Sequence, residues 1–278
     1  MAKHPLGEVF GYPADNITPE AVHDRNNTLC PFHERRIKCT KDKDNDPLGV
    51  CSIHEGGDLA VVCPGRFREG GIIIHQTAEF FFPPDSIVVP LYEIRLKDIS
   101  GKAVGNIDIV LASVDADGNI LDFGAVEIQS VYVSGNIRNS YKSYMDSIDK
   151  FAYEFKKGYN YPKADYLSSS RKRLIPQIIS KGAILNHWGK KTAIVLHTKF
   201  YATIEYLFNP VAESDSDLAW FIYDLQLNVE ENKYHLVLDK VVYTKYEEVL
   251  STLVTPKPGD IDDFVSQLQT KYSKVRGV

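Results

Sequence analysis

Four cysteines, Cys30, Cys39, Cys51 and Cys63, stand in the first quarter of the 278-residue chain, and none follows. Their spacing is C-x8-C-x11-C-x11-C, without the paired CxxC knuckles of common zinc ribbons. In a reducing compartment disulfides are disfavoured, so clustered cysteines read first as metal ligands or reactive thiols. Four thiolates fill a tetrahedral shell that suits zinc or a single iron, and a shell with no open position has a structural role. Two disulfides, or buried free thiols, are the alternatives. Cys30 and Cys63 each precede a proline and Cys51 follows Leu-Gly-Val, which points to turns at the ligands. The intervening KDKDNDP and HEGGD runs are polar, and are expected to need such a clamp to hold a fold.

A second group lies further on. Asp-Ala-Asp-Gly-Asn at 115–119 has the chemistry of a hairpin turn between two β-rich runs, Ala103–Val114 and 120–133. A reversal there sets Asp108 alongside Glu127. Glu127 and Gln129, two residues apart on a strand, project to one face. One carboxylate from each of two adjacent strands can hold a divalent cation such as Mg2+, with Gln129 placed to orient a water. Solvent-facing strand polars are the bland alternative; against it, Glu127 and Gln129 interrupt an otherwise apolar strand. DADGN is not a calcium loop, because Ile120 and Val126 stand where that loop requires Gly and Glu. Phosphate-loop, dinucleotide, GxSxG and HExxH motifs are absent from the sequence.

The elements that must position these residues follow from periodicity. Residues 1–29 read as an irregular arm and 30–70 as the metal-clamped segment, with strands and helices from Ile72 on. A helix is expected over 140–157, its apolar face formed by Tyr144, Met145, Ile148, Phe151, Ala152 and Phe155 and its end at Gly158. A second is expected near 170–181, where Pro176 would kink it or shift its start. Strands follow over 193–198, 218–229 and 233–244, and Asp260 caps a closing helix with Ile261, Phe264, Val265, Leu268 and Tyr272. The alternation implies a mixed α/β sandwich. Apolar content of 44% suffices for a core, and no apolar run nears the roughly 18 residues of a membrane span. With an N-terminus unlike a secretory signal, the expectation is a soluble, cytoplasmic bacterial protein.

The runs Cys30-Pro-Phe, Cys39-Thr-Lys, Gly49-Val-Cys51 and Val62-Cys63-Pro-Gly-Arg66 resemble the iron-binding four-cysteine segment of the NotI restriction endonuclease family. Glu8-Val-Phe-Gly-Tyr-Pro13 resembles its entry segment, and Gly124-Ala-Val-Glu127-Ile-Gln129 its Glu-x-Gln catalytic strand, a variant of the PD-(D/E)xK motif. Asp108 matches the motif's aspartate, though Gly-Asn-Ile precedes it without the usual proline, and Glu93 matches a further active-site acid. The resemblance covers about residues 8–145. It implies an α/β PD-(D/E)xK restriction-endonuclease-like core, a mixed β-sheet flanked by helices, over 76–278. The arm and four-cysteine metal-binding segment would occupy 1–75. It further implies a Type II restriction endonuclease that cuts both strands of a palindromic double-stranded DNA site. Asp108 and Glu127 would hold Mg2+, and the cysteines Fe or Zn. A homodimer and a cognate DNA methyltransferase would accompany this activity. The competing reading is a metal-clamped DNA-binding protein with an inactive or repair-type nuclease fold.

Charge distribution bears on the DNA. The net charge of −5 averages +9 over residues 134–200 with −8 before and −6 after. The basic segment carries Arg138 and Ser168-Ser-Ser-Arg171-Lys172-Arg173. A serine run opening a basic helix is a good phosphate seat, so Arg138, Arg171, Lys172 and Arg173 are the candidate DNA contacts, with Arg35, Arg36 and Lys38 also in reach. An ordinary solvated face is the alternative.

Overall fold

The computed structural model describes residues 4–33, 35–43, 45–146, 160–255 and 258–276. The first strands, β1 (Leu6–Val9) and β2 (Tyr12–Pro13), precede helix α1 (Pro19–Asn26), which Thr18 caps. Strands β3 (Val50–Glu55) and β4 (Asp58–Val61) form a hairpin, and the four strands make a small sheet in the order β2-β1-β3-β4. Residues 1–29 are therefore not an irregular arm: Leu6, Val9, Phe10 and Tyr12 are buried, and Arg25 donates from within to the carbonyls of Val9, Asn16 and Pro13. HEGGD is likewise self-supporting. Gly56 and Gly57, with φ of +61° and +98°, make the two-residue turn that the strand twist favours. Cys51 lies within β3, not at a turn.

After two short 3-10 turns (Pro64–Gly71), helix α2 (Ile72–Phe81) leads into the main sheet. Strands β5 (Ile87–Lys97), β6 (Ala103–Val114) and β7 (Ile120–Ile128) form a meander. The turn at 115–119 is held by the Asp115 carboxylate, which accepts from the amides of Asp117 and Asn119. The chain then crosses over through β8 (Tyr132–Ser134), α3 (Ile137–Met145), β9 (Lys163–Asp165) and a long helical rod, α4 (166–187). Strand β10 (Thr192–His197) returns beside β7 in parallel, and short α5 (Thr198–Ala202) joins it to β11 (Leu218–Asn228). Antiparallel β12 (Lys233–Thr244), α6 (Tyr246–Val254) and α7 (Ile261–Arg276) end the described chain. The six-stranded order is β12-β11-β10-β7-β6-β5, a mixed sheet with helices on both sides, and the expected α/β class holds.

Alternate residues of the central strands fill two cores. On one face, Ile109, Leu111, Val126, Val195 and Phe221 pack against Ile73 and Phe80 of α2. On the other, Ile194, Leu196 and Trp220 pack against Leu174 and Ile178 of α4 and Tyr246 of α6.

The helices depart from expectation in instructive ways. α3 begins at Ile137, where the Asn136 side chain accepts from the Asn139 amide. The rest of the helix expected over 140–157 lies outside the described residues. α4 begins at Tyr166 and runs through Pro176 without breaking. The turn before the proline is wide, with the Ile175 amide bonding five residues back to Ser170, which relieves the demand on a residue with no N–H. α7 has the expected Asp260 cap, yet none of its residues is buried.

A buried ion-pair network ties the small sheet to the large one. Arg66 and Glu8 are both inaccessible to solvent and 2.9 Å apart. Arg66 also meets Glu69 at 2.6 Å and the Tyr234 carbonyl at 2.7 Å, while Glu69 accepts from the Leu236 amide of β12. Arg66→Met leaves the Glu8 carboxylate buried without its cation, and is expected to cost about 3–5 kcal/mol in urea unfolding. A loss below about 1 kcal/mol would show that the pair does not clamp the sheets together.

Candidate active site and cysteine pocket

The register places the predicted acids as the hairpin arithmetic implies. Ile109 opposes Val126, so Asp108 stands level with Glu127, and the Asp108 carboxylate accepts from the Ile128 amide at 2.7 Å. Glu127 is 5% exposed and points to the face that α4 covers. Burial, then the charge of Asp108, pushes its carboxyl up to about 8, against the pull of Lys181. Burial also raises Asp108 above the usual carboxylate range. Glu93 lies across from Asp108 on β5, between the pairs Tyr92–Ile109 and Ile94–Ile107, and its charge acts on both acids. Its side chain is exposed and its φ is +54°, a left-handed backbone that costs a non-glycine residue roughly 1–3 kcal/mol and is typical of functional sites. Gln129 is buried just past the end of β7. Its amide nitrogen donates to the Ser130 carbonyl at 2.7 Å.

Two basic residues that the sequence reading passed over complete the cluster. Lys181, from α4, sets its ammonium 2.9 and 2.8 Å from the two oxygens of Glu127 and also donates to the Asn106 carbonyl. The signal for it was available: Leu174, Ile178, Lys181 and Leu185 recur at helical spacing, and a lysine on an apolar stripe demands a buried partner. Arg68, over the Tyr92 ring at 5.4 Å, is close enough to Asp108 and to Cys30 for its charge to act on both.

The four cysteines come from separate pieces of backbone and line one small pocket. Cys30 and Cys39 flank the Leu29–Lys38 bridge, Cys51 lies in β3 and Cys63 directly follows β4. All four are free thiols, and burial raises Cys30, raises Cys39 to about 11, and raises Cys51 well beyond the ordinary thiol value, with Cys63 adding repulsion in each case. Among the described residues, no group of three or more His, Cys, Asp or Glu side chains is arranged to hold a metal ion as it stands.

Beside the thiols opens a cavity of about 550 Å3, walled by Lys38, Arg68 and Arg173 as well as Cys30, Cys39 and Cys63. It reaches from the cysteine segment to Ser130 and Val131, shortly after the end of β7, where the Val131 amide donates to the Val61 carbonyl of β4. A comparison of the whole chain with known families gives a match. The sequence model of the restriction endonuclease NotI matches residues 9–236. The chain belongs to the NotI restriction endonuclease family. No individually curated protein matches it. As a NotI-family protein it is a restriction endonuclease of the Type II kind, a hydrolase that acts on DNA, and the reading of a DNA-binding protein without nuclease activity is not favoured. The match runs far past residue 145, where the motifs end, and takes in α4, β10 and β11. No helix among the described residues is long and apolar enough to cross a membrane.

The candidate DNA contacts of this NotI-type chain separate into two kinds. Arg138 is engaged internally, with Asp42 at 3.0 Å and Asp46 at 2.9 Å, and Arg36 is held by Glu20 and Asp24 at 2.8 and 2.7 Å. Arg171 and Lys172 are exposed, and Arg173 lies 4.2 Å from the Tyr132 ring centre and bonds its hydroxyl. The serine run does not open the helix. Asp165 caps it, accepting from the Ser168 amide at 2.9 Å, so a carboxylate already holds the position expected for phosphate.

Burial of Glu127 has a measurable consequence. In the metal-free protein its carboxyl carbon is expected to titrate near 8 by NMR. A proton and a divalent cation compete for that carboxylate. Were Mg2+ held there, raising the pH from 7 to 8 would lower the Mg2+ needed for half-maximal cleavage about fivefold. A midpoint near 4.5, with no pH effect on the Mg2+ requirement, would contradict the burial argument.

Proposed function

We propose that this NotI-family enzyme hydrolyses phosphodiester bonds in both strands of a palindromic double-stranded DNA site, with Mg2+, at Asp108 and Glu127. The observation that carries the reading is the level placement of these two carboxylates on adjacent strands, with Arg68, from the wall of the basic cavity, near enough for its charge to act on Asp108. A buried acid whose proton affinity is raised by a half-buried neighbour, Glu127 by Asp108, suits a hard divalent cation, which removes the repulsion. Two carboxylates are the share of its shell that a protein ordinarily gives Mg2+, water and substrate phosphate supplying the rest. When bound, the cation would activate a water and offset the charge that develops on phosphorus.

The protein's own groups set the geometry. The Ile128 amide fixes one oxygen of Asp108, which aims the other. Glu93 adds negative charge on the open side of β5 and helps to hold or position the cation. Gln129, buried at the strand end, orients the water that attacks phosphorus in line with the departing 3′ oxygen; the P–O3′ bond breaks as the new P–O bond forms. A neutral amide hydrogen-bonds that water but brings no charge. The DNA backbone lies along the cavity, against Lys38, Arg68 and Arg173, with Arg171 and Lys172 further along α4. Arg138 serves instead to fasten the Asp42–Asp46 loop.

The cysteine pocket is read as the seat of Fe or Zn. Its thiols resist ionisation because of burial and one another, and a bound cation reverses both effects. Bound there, the metal would brace the cavity wall formed by Cys30, Cys39 and Cys63. A homodimer with two-fold symmetry would cut both strands alike, and a methyltransferase of the same specificity would protect the host.

Three outcomes are expected. Phage DNA incubated with the protein and Mg2+ should yield discrete fragments sharing one palindromic end sequence. Asp108→Ala and Glu127→Ala should each slow cleavage by at least about 1,000-fold, roughly 4 kcal/mol of transition-state stabilisation, while cognate DNA still binds in Ca2+. Glu127→Ala that still cuts at the wild-type rate would overturn the site. Finally, protein purified without chelator should contain about one Fe or Zn per chain, lost in Cys51→Ser and Cys63→Ser; metal-free protein of full activity would remove the metal from the proposal.

A further inference from the structure

The chain carries a lysine where its motif has none. Gln129 stands at the position whose side chain is ordinarily the positive group of the active site, and its amide nitrogen is committed to Ser130. The ammonium that reaches the acids comes instead from α4, in the wide turn at Ile178–Gly182. Lys181 and Glu127 are each 5% exposed. Both Glu127 oxygens lie within 3 Å of the Lys181 nitrogen, at 2.9 and 2.8 Å, so the carboxylate faces used to hold a cation are already occupied by one. Asn106, whose carbonyl takes a further N–H, sits on β6 two residues before Asp108.

Resting on the site assignment above, we propose that Lys181 is a displaceable counter-ion and positioning residue. It holds Glu127 in place in the metal-free enzyme, yields the carboxylate oxygens when a divalent cation binds, and then provides the positive charge that Gln129 lacks. Two observations converge on this reading. The contact is two-pronged, unlike the single contact of a chance surface pair. The lysine spends an apolar stripe position of α4, between Ile178 and Leu185, to make it.

The test separates displacement from structure by reading cation affinity and cleavage apart. Calorimetry with Ca2+ on the DNA-free protein at pH 9, above the titration of Glu127, measures the first, and single-turnover cleavage in saturating Mg2+ the second. Lys181→Met is expected to bind Ca2+ at least tenfold more tightly than wild type, because no ammonium competes, and to cleave at least a hundredfold more slowly. Lys181→Arg, which keeps the charge, should bind Ca2+ within threefold of wild type and recover part of the rate. A folded Lys181→Met with equal or weaker Ca2+ affinity, or with unchanged cleavage, overturns the proposal. If Lys181→Met does not fold, wild-type protein labelled with 15N-lysine decides: the Lys181 ammonium resonance must shift saturably with Ca2+, and a resonance that stays fixed overturns the proposal. Failure of the underlying site assignment would look different, since Glu127→Ala would then still cut DNA.

Discussion

Two carboxylates held level on adjacent strands, Glu127 buried and Asp108 half-buried, are the constraint around which this molecule is arranged. Folding alone does not favour the pair. Each acid loses hydration, Glu127 also feels the charge of Asp108, and Glu127 consequently binds a proton far more tightly than an exposed glutamate. The compensation comes from Lys181, more than fifty positions along the chain. That separation is a consequence of topology. β7 must lie between antiparallel β6 and parallel β10, and a parallel neighbour requires a crossover long enough to contain helices. The crossover therefore brings α4 over the acid face, and with it both the buried lysine and the exposed Arg171 and Lys172.

The same strand end joins the nuclease sheet to the cysteine segment. The Val131 amide bonds β4 just before Cys63, and Arg66, three residues after that cysteine, anchors Glu8 of β1 and the backbone of β12. The cysteine pocket and the large sheet are thus joined by two short connections. Arg68, next in line, is near enough to influence both Cys30 and Asp108.

Much of the large sheet was legible because its signals are local. Strand β6 was read with its observed bounds, and the Asp115–Asn119 turn gave the level placement of Asp108 and Glu127 from counting alone. The strands β10 to β12 were equally plain from their apolar runs. What escaped depends on contacts between distant residues. β1 and β2 are too short to show a period and exist because β3 pairs with them. α4 passes Pro176 only because a wide turn precedes it, which no propensity foretells. The cluster Arg171–Arg173 was visible as charge, but the cap at the helix start is Asp165, which a charge count does not single out. Nor does a charge count show that Arg138 is paired with Asp42 and Asp46. Lys181 was legible in principle, since a lysine on an apolar stripe needs a partner, but naming that partner required the fold.

The central claim is that Asp108 and Glu127 together hold the cation at which DNA is cut. Anomalous scattering from Mn2+ in crystals of the enzyme with its DNA tests this most directly. The account predicts a peak shared by the carboxylates of Asp108 and Glu127, with the Lys181 ammonium withdrawn from Glu127. A peak bound elsewhere in an enzyme that cleaves under the same conditions, with the Lys181–Glu127 contact intact, would contradict it.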